Sequence, residues 1–310
     1  MFPEPHFVTA NGLDMAVYEQ GDGPPVVLLH GFPELAFSWR HQLPALANAG
    51  FRAIAPDQRG YGLSSAPPNV TDYGVSELIK DVHGLLDALE LERATFVGHD
   101  WGALLLWQMA MLAPERIERL VILNIPHMPR LPIDPVSVMR KHFGDDYYIV
   151  NFQDSDEADR LFSADPRHFI NRMMRKNLLT REQFEAMPPE FRVINLIRST
   201  TQPEASGEPL LTAEELDYYA RGFSHSGFTG PINWYRNWTK NWALLDGINQ
   251  RIDIPTLFIG ATNDVVIDLK HIEGMRSLVS ELTLAMLDCG HWSQQEKPDE
   301  VNRLIVDWLA

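Results

Sequence analysis

Apolar and polar residues alternate in blocks along the first third of the chain, and the blocks predict its elements. Residues 6–10 and 13–20 read as two short strands around Asn11-Gly12, a hairpin signal. Pro25-Val26-Val27-Leu28-Leu29 is a continuous apolar run, as expected for a strand buried on both faces of a parallel sheet. It ends in the loop His30-Gly31-Phe32-Pro33. A helix is predicted from Ser38 to Ala49, then a strand over Arg52–Pro56 and the turn Asp57-Gln58-Arg59-Gly60-Tyr61-Gly62. From Val75 to Leu89, the residues Leu78, Val82, Leu85, Leu86 and Leu89 recur at helical spacing. Ala94-Thr95-Phe96-Val97 predicts a buried strand, Ala103–Ala110 a helix and Ile117–Ile125 a further strand that ends at Asn124.

The alternation then stops. From His127 to Asp246 the pattern is helical, polar and aromatic, with interruptions such as Gln202-Pro203-Glu204-Ala205-Ser206-Gly207. Afterwards Ile254–Gly260 predicts a strand, His271–Val279 a helix, Leu282–Leu287 a strand and Lys297–Leu309 a closing helix. Strands alternating with helices imply an α/β class and a mostly parallel, doubly wound sheet. The long helical insertion between the sixth and seventh strands reads as a lid. The expected division is a core domain of residues 1–126 and 246–310 and a helical cap domain of residues 127–245.

Composition narrows the class. The 310 residues are 45% hydrophobic and 10% aromatic, enough for a large core. A net charge of -16 argues against nucleic acid, whose phosphates need a basic footprint. The single cysteine, Cys289, rules out an intrachain disulfide. No basic region followed by an apolar run opens the chain, and no apolar stretch is long enough to span a bilayer. A cytoplasmic protein is the expectation. The metal-binding spacings of paired cysteines, or of two histidines on one helix face, are missing, so neither metal nor cofactor is expected.

Chemistry concentrates in Gly98-His99-Asp100-Trp101-Gly102, between a predicted strand and a predicted helix. Small residues around a reactive side chain at such a junction form the nucleophile-elbow pattern. Its usual centre is Ser; here it is Asp100. Ligands of a parallel α/β sheet bind outside the carboxyl ends of its strands. Asp100, Asp264 and His291 end strands there, in the order nucleophile, acid, histidine. An Asp after a strand is often only a turn residue or helix cap. Asp253 lies at the wrong end of its strand, and Asp268 is the nearest competitor. The position after the sixth strand holds Asn124, which cannot ionise, and this favours Asp264. His99 reads as structural, because neighbours on an elbow point apart. The amides of Phe32 and Trp101 are the expected oxyanion-hole donors.

An aspartate nucleophile displaces at an electrophilic sp3 carbon and leaves an alkyl-enzyme ester. His291, oriented by Asp264, then activates water to hydrolyse that ester. The leaving group is either the oxygen of an opened epoxide or a halide. An alkoxide needs a proton or a strong hydrogen bond, which a phenol supplies. Tyr148 and Tyr235, in the helical insertion, stand in suggestive context, although an arbitrary tyrosine is usually a packed aromatic.

Several segments together resemble the epoxide hydrolases of the α/β-hydrolase superfamily, over nearly the whole chain. They are His30 to Glu34 with Trp39-Arg40, Asp57 to Gly62, Gly98 to Gly102, Leu123 to Pro126, Tyr148 with Phe152-Gln153, Gly230 to Trp238 and Gly290 to Pro298. The resemblance implies a mostly parallel eight-stranded sheet with helices on both faces and a helical cap after strand six. It implies Asp100, Asp264 and His291 as nucleophile, acid and base, and Tyr148 and Tyr235 as the cap tyrosines that polarise the epoxide oxygen, with Tyr147 a rival to Tyr148. It further implies a cis bond before Pro33, substrate contacts at Phe32, Pro33 and Trp101, and a vicinal diol as product. The partners would be a small apolar epoxide and water; a homodimer is left open. A dehalogenase shares the aspartate chemistry, and Trp101 matches the halide-donating Trp of haloalkane dehalogenases. Phe32, however, has no side-chain donor, and paired tyrosines are out of place in fluoroacetate dehalogenases. A catalytically silent binding protein would be signalled by a missing triad member, and none is missing. Between residues 154 and 221, where pocket shape is decided, no motif aligns.

Overall fold

A computed structural model describes residues 2–176, 180–188, 191–202 and 207–310. Part of the interruption read at 202–207, residues 203–206, lies outside the described residues. Eight strands form one sheet: β1 (His6–Ala10), β2 (Leu13–Gln20), β3 (Pro25–Leu29), β4 (Arg52–Pro56), β5 (Ala94–His99), β6 (Ile117–Leu123), β7 (Thr256–Ala261) and β8 (Leu282–Leu287). Their spatial order is β1-β2-β4-β3-β5-β6-β7-β8. β1 and β2 pair antiparallel, as does β2 with β4, and every other pairing is parallel.

Alternation along the central strands feeds two cores. Val27 and Leu29 of β3, Phe96 of β5 and Leu120 and Ile122 of β6 face one cluster. Val26, Leu28, Val97, Val121 and Leu123 face the other. This is the period of two expected of strands, here with both faces covered. Helices α1 (Gln42–Asn48), α2 (Val75–Ala88) and α3 (Trp101–Leu112) follow β3, β4 and β5. α2 buries Val75, Leu78, Ile79, Val82, Leu85 and Leu86, one apolar stripe. α3 is apolar on nearly every side and is correspondingly enclosed.

Between β6 and β7 run α4 (Pro135–Phe143), α5 (Tyr148–Asp154), α6 (Glu157–Ala164), α7 (Pro166–Met173), α8 (Arg181–Glu185), α9 (Leu196–Thr201), α10 (Ala213–Ser226), α11 (Thr229–Arg236) and α12 (Trp238–Leu244). Stacked aromatics join several of them, including Phe162 on Phe169 at 3.8 Å and Phe223 on Phe228 at 4.4 Å. After β7 come α13 (Leu269–Gly274), α14 (Ser293–Glu296) and α15 (Pro298–Leu309). Among the described residues, no helix is long and apolar enough to cross a membrane.

Several boundaries differ from the sequence reading, each for a local reason. The helix expected over 38–49 is a 3-10 turn, Ala36–Trp39, followed by α1. Pro44 lacks the N–H that a helix begun at Ser38 would need, so the helix starts where Pro44 falls in the first turn. Pro255 likewise cannot donate to the ladder, and β7 begins at Thr256. β6 stops at Leu123 because Asn124 takes φ 66°. The helix expected over 271–279 is α13 plus a 3-10 turn at Met275–Ser277. Asp268 caps α13 by accepting from the Lys270 N–H at 3.0 Å. Asp253 pairs with exposed Arg251.

The sheet also creates a crevice. From β3 the chain crosses to β4 on one side, then returns to place β5 on the other side of β3. The loops after β3 and β5 diverge, and such a switch point is where α/β sheets bind ligands. α3 packs tightly against β3 here: a Cβ on Gly102 would lie 2.0 Å from the Leu29 carbonyl oxygen. Gly102→Ala should therefore destabilise the fold by roughly 1–3 kcal/mol. Thermal unfolding is the check: a melting temperature several degrees lower is expected, and an unchanged one contradicts the packing described.

Candidate active site

β5 is buried along its whole length and delivers Asp100 into the crevice. Asp100 takes φ 51° and ψ −116°, a conformation that a non-glycine residue adopts at a cost of about 1–3 kcal/mol. The loop after β3 approaches from the other side. A Cβ on Gly31 would lie 2.3 Å from the Asp100 Cβ, so only glycine lets the loop come this near. The Phe32 amide donates to Asp100 Oδ1 at 2.8 Å, and the Phe32–Pro33 bond is cis.

His291 follows β8. Its Nδ1 lies 2.8 Å from Asp264 Oδ2, and its Nε2 lies 3.6 Å from Asp100 Oδ2. The first is a hydrogen bond; the second is an ion-pair separation. Asp264 is fully buried, and it also accepts from Asn124 Nδ2 at 2.8 Å and the Val266 amide at 2.9 Å. Burial alone would raise the Asp264 pKa, but His291 and these donors hold it below the usual carboxylate value. Burial opposes charge on His291, yet Asp264 and Asp100 beside it raise its pKa well above the ordinary histidine value.

Asn124 thus has a part that its inability to ionise did not suggest. Its side-chain Oδ1 accepts from Ser293 Oγ at 2.6 Å, tying the Asp264 carboxylate to the segment just after His291. A third carboxylate, Glu34, enters the sequence reading only as the end of a matching segment and is given no role there. It is fully buried and accepts from the Gly31 amide at 3.0 Å and from Gln294 Nε2 at 2.8 Å, with His99 Nδ1 at 2.7 Å. Burial would raise its pKa, but His99 and the backbone amide bring it down to about 2. His99 Nε2 lies 2.8 Å from the His291 carbonyl oxygen. The residue read as structural therefore links the loop after β3 to the loop carrying His291. The only sequence signal for Glu34 was an acid immediately after His30-Gly31-Phe32-Pro33.

Tyr148 opens α5, where its amide donates to the Ile194 carbonyl at 3.0 Å. Tyr235 lies near the end of α11, whose Trp234 donates through Nε1 to the Arg59 carbonyl at 3.1 Å. Gln153 Nε2 donates to the Tyr235 carbonyl at 3.0 Å and Arg236 Nε to the Phe152 carbonyl at 2.9 Å, so the two helices are fastened together. The rings of Tyr148 and Tyr235 lie 5.7 Å apart at 73°. Burial, followed by each tyrosine's neighbour and by Asp100, raises both phenol pKa values well above the usual range. Tyr147, the rival, stands at the N-terminal boundary of α5 and packs against Phe143 at 4.7 Å.

Phe32, Asp100, Tyr148, Tyr235 and His291 line one cavity of about 250 Å³. Trp101 and Pro33, expected at the substrate, are not among its lining residues. Trp101 instead stands behind Tyr235, with ring centroids 4.9 Å apart in an edge contact. The wall is not wholly apolar, because Arg172, Arg175 and Lys176 contribute to it. Residues 177–179 and 189–190, within the stretch where pocket shape was unreadable, lie outside the described residues.

The geometry agrees with the likeness of this chain to known proteins. Residues 24–298 match the family described as the alpha/beta hydrolase fold. Epoxide hydrolase A of Mycobacterium tuberculosis is 40% identical over 99% of this chain and 98% of its own. Bifunctional epoxide hydrolase 2 of Sus scrofa is 40% identical over 96% of this chain and 53% of its own, so this chain spans about half of that longer relative. The crystal structure of epoxide hydrolase A from Mycobacterium thermoresistibile superposes with a TM-score of 0.88 at 40% identity, over 99% of this chain and 98% of that one. Sequence and chain path are thus shared from end to end, and this chain belongs to the epoxide hydrolases of the alpha/beta hydrolase fold family.

Proposed function

We propose that this protein hydrolyses epoxides to vicinal diols through a covalent ester on Asp100. The observation that carries the reading is one cavity lined by a carboxylate, an imidazole and two buried phenols. Phenols with raised pKa values stay protonated at neutral pH, so Tyr148 and Tyr235 are hydrogen-bond donors to the epoxide oxygen. Asp100 attacks a ring carbon, the carbon–oxygen bond breaks, and the oxygen takes a proton from one phenol. The product of this step is an ester between Asp100 and the opened substrate.

Esterification removes the charge on Asp100. His291 then loses one of the two carboxylates that raise its pKa, and it sheds its proton, which through solvent restores the phenol. The neutral imidazole, oriented by Asp264, takes a proton from water, and the resulting hydroxide attacks the ester carbonyl carbon. The Phe32 amide, already aimed at Asp100 Oδ1, and the Trp101 amide stabilise the oxyanion. Collapse of this intermediate returns the proton from His291 to the diol, and the proton left on the Asp100 carboxyl passes to His291, which restores the charged pair. In this reading residues 127–245 act as the cap domain that brings the phenols to a core of residues 1–126 and 246–310. A halide leaving group would take no proton and would leave both phenols without a role.

Turnover of the purified protein with a simple aryl epoxide tests the reading. Diol release supports it; halide release from a haloalkane without diol formation, or silence on both, overturns it. Asp100→Ala should abolish turnover. His291→Gln should let the ester accumulate, seen as an added substrate mass on the intact protein; a reactive epoxide that leaves no adduct counts against the covalent step. Tyr148→Phe combined with Tyr235→Phe should slow ring opening by about 100-fold or more, each single change by less. A fully active double variant would sink the phenol assignment. Asp100→Ala should also lower the pH at which His291 titrates, followed by the NMR of its ring, since a negative neighbour is gone. An unchanged titration contradicts the proposed control of the base.

A further inference from the structure

We propose that Arg181, on α8, is a positioning residue for the second half of the reaction. The inference rests on the two-step reading above. It holds the loop between β7 and α13, which carries Asp264, by the backbone. Arg181 Nε donates to the Thr262 carbonyl at 3.1 Å, and Nη2 donates to the Ile267 carbonyl at 2.9 Å and also to the Asp264 carbonyl. Its own amide donates to Asn263 Oδ1 at 3.1 Å. One side chain from the helical segment thus satisfies three main-chain carbonyls spanning six residues of the loop, from Thr262 to Ile267. The planar, multi-donor guanidinium suits that geometry, and a lysine ammonium, a point charge, does not reproduce it.

Arg181 is itself held. Thr180 and Gln183 form a reciprocal cap at the start of α8, which fixes where the stem leaves the helix. The loop that it grips contributes to the site in two ways. The Asp264 side chain orients His291, while Val265 and Val266 line the cavity. The clamp therefore joins the helical segment to the acid of the triad and to one wall of the substrate cavity.

The two half-reactions depend on this loop unequally. Attack by Asp100 and proton donation by the phenols do not use Asp264. Ester hydrolysis does, because His291 must present the right nitrogen to water at the right distance. A displacement of about 1 Å in such a group can cost about 100-fold in rate. Loosening the loop should slow hydrolysis and spare alkylation.

Rapid-quench kinetics with styrene oxide and intact-protein mass spectrometry, applied to the full chain, separate the two steps. For Arg181→Met, ester hydrolysis should fall by about tenfold or more while alkylation stays within about threefold, so that the ester becomes the predominant steady-state species. Arg181→Lys, which keeps charge and stem, should fall between Met and the parent. It carries the same test should the Met variant not fold. Hydrolysis at the parental rate in a folded variant overturns the inference, as does a parallel loss of both steps, the mark of a merely structural role. His291→Gln, run alongside, keeps two failures apart. If that variant traps the ester while the Arg181 variants hydrolyse normally, only this inference falls; if it traps nothing, the two-step reading falls with it.

Discussion

At the end of β5 the chain turns into α3 through a single residue, and Asp100 holds that turn at φ 51°. A regular strand would point this side chain toward one face of the sheet, into a core. The turn lifts it out at the carboxyl ends of the strands, into the crevice left where β3 sends the chain one way and β5 the other. The strained backbone persists because its surroundings over-determine it. Gly102 lets α3 lie against the end of β3, Gly31 lets the neighbouring loop reach Asp100, and the Phe32 amide meets the carboxylate at 2.8 Å. Strain at one residue thus brings the proposed nucleophile and a backbone donor together before any substrate arrives.

Around that turn the protein buries carboxylates beside imidazoles. Asp264 with His291, and Glu34 with His99, are two such pairs. They are joined through the contact of His99 with the His291 carbonyl. A buried carboxylate is costly unless its lone pairs are satisfied, and both are met by several donors. The pairs differ in what reaches the cavity. His291 lines it and faces Asp100, so its proton affinity depends on whether Asp100 carries charge. His99 and Glu34 are enclosed, and they brace the loops after β3 and β8 against each other. In the proposed reaction, a carboxylate that becomes a neutral ester in this way signals to the base that the first step is complete.

Much of this was legible in the chain because the relevant signals are local. Buried parallel strands show as apolar runs, and Asp100 stands directly after one and Asp264 three residues after another, while His291 comes four residues after the half-exposed edge strand β8. The two tyrosines that line the cavity were singled out only through motif resemblance, since an aromatic in an amphipathic helix carries no periodic mark of function. Element ends failed where one residue decided them, as with Pro44 in α1 and Asn124 after β6. Glu34, the amide of Asn124 and Arg181 were illegible for another reason. Their partners are a histidine 65 residues away, an acid 140 residues away and main-chain carbonyls more than 80 residues away. No spacing rule connects such positions; only the folded chain does.

The central claim is that an oxygen of Asp100, and not one from water, is the atom transferred to substrate first. A single turnover in heavy-oxygen water, with enzyme in excess over epoxide, tests it most directly. Diol and the peptide bearing Asp100 are then weighed by mass spectrometry. The account predicts heavy oxygen in Asp100 and an unlabelled diol. A labelled diol with an unlabelled Asp100 would mean that water opens the ring directly, and the covalent mechanism would be wrong.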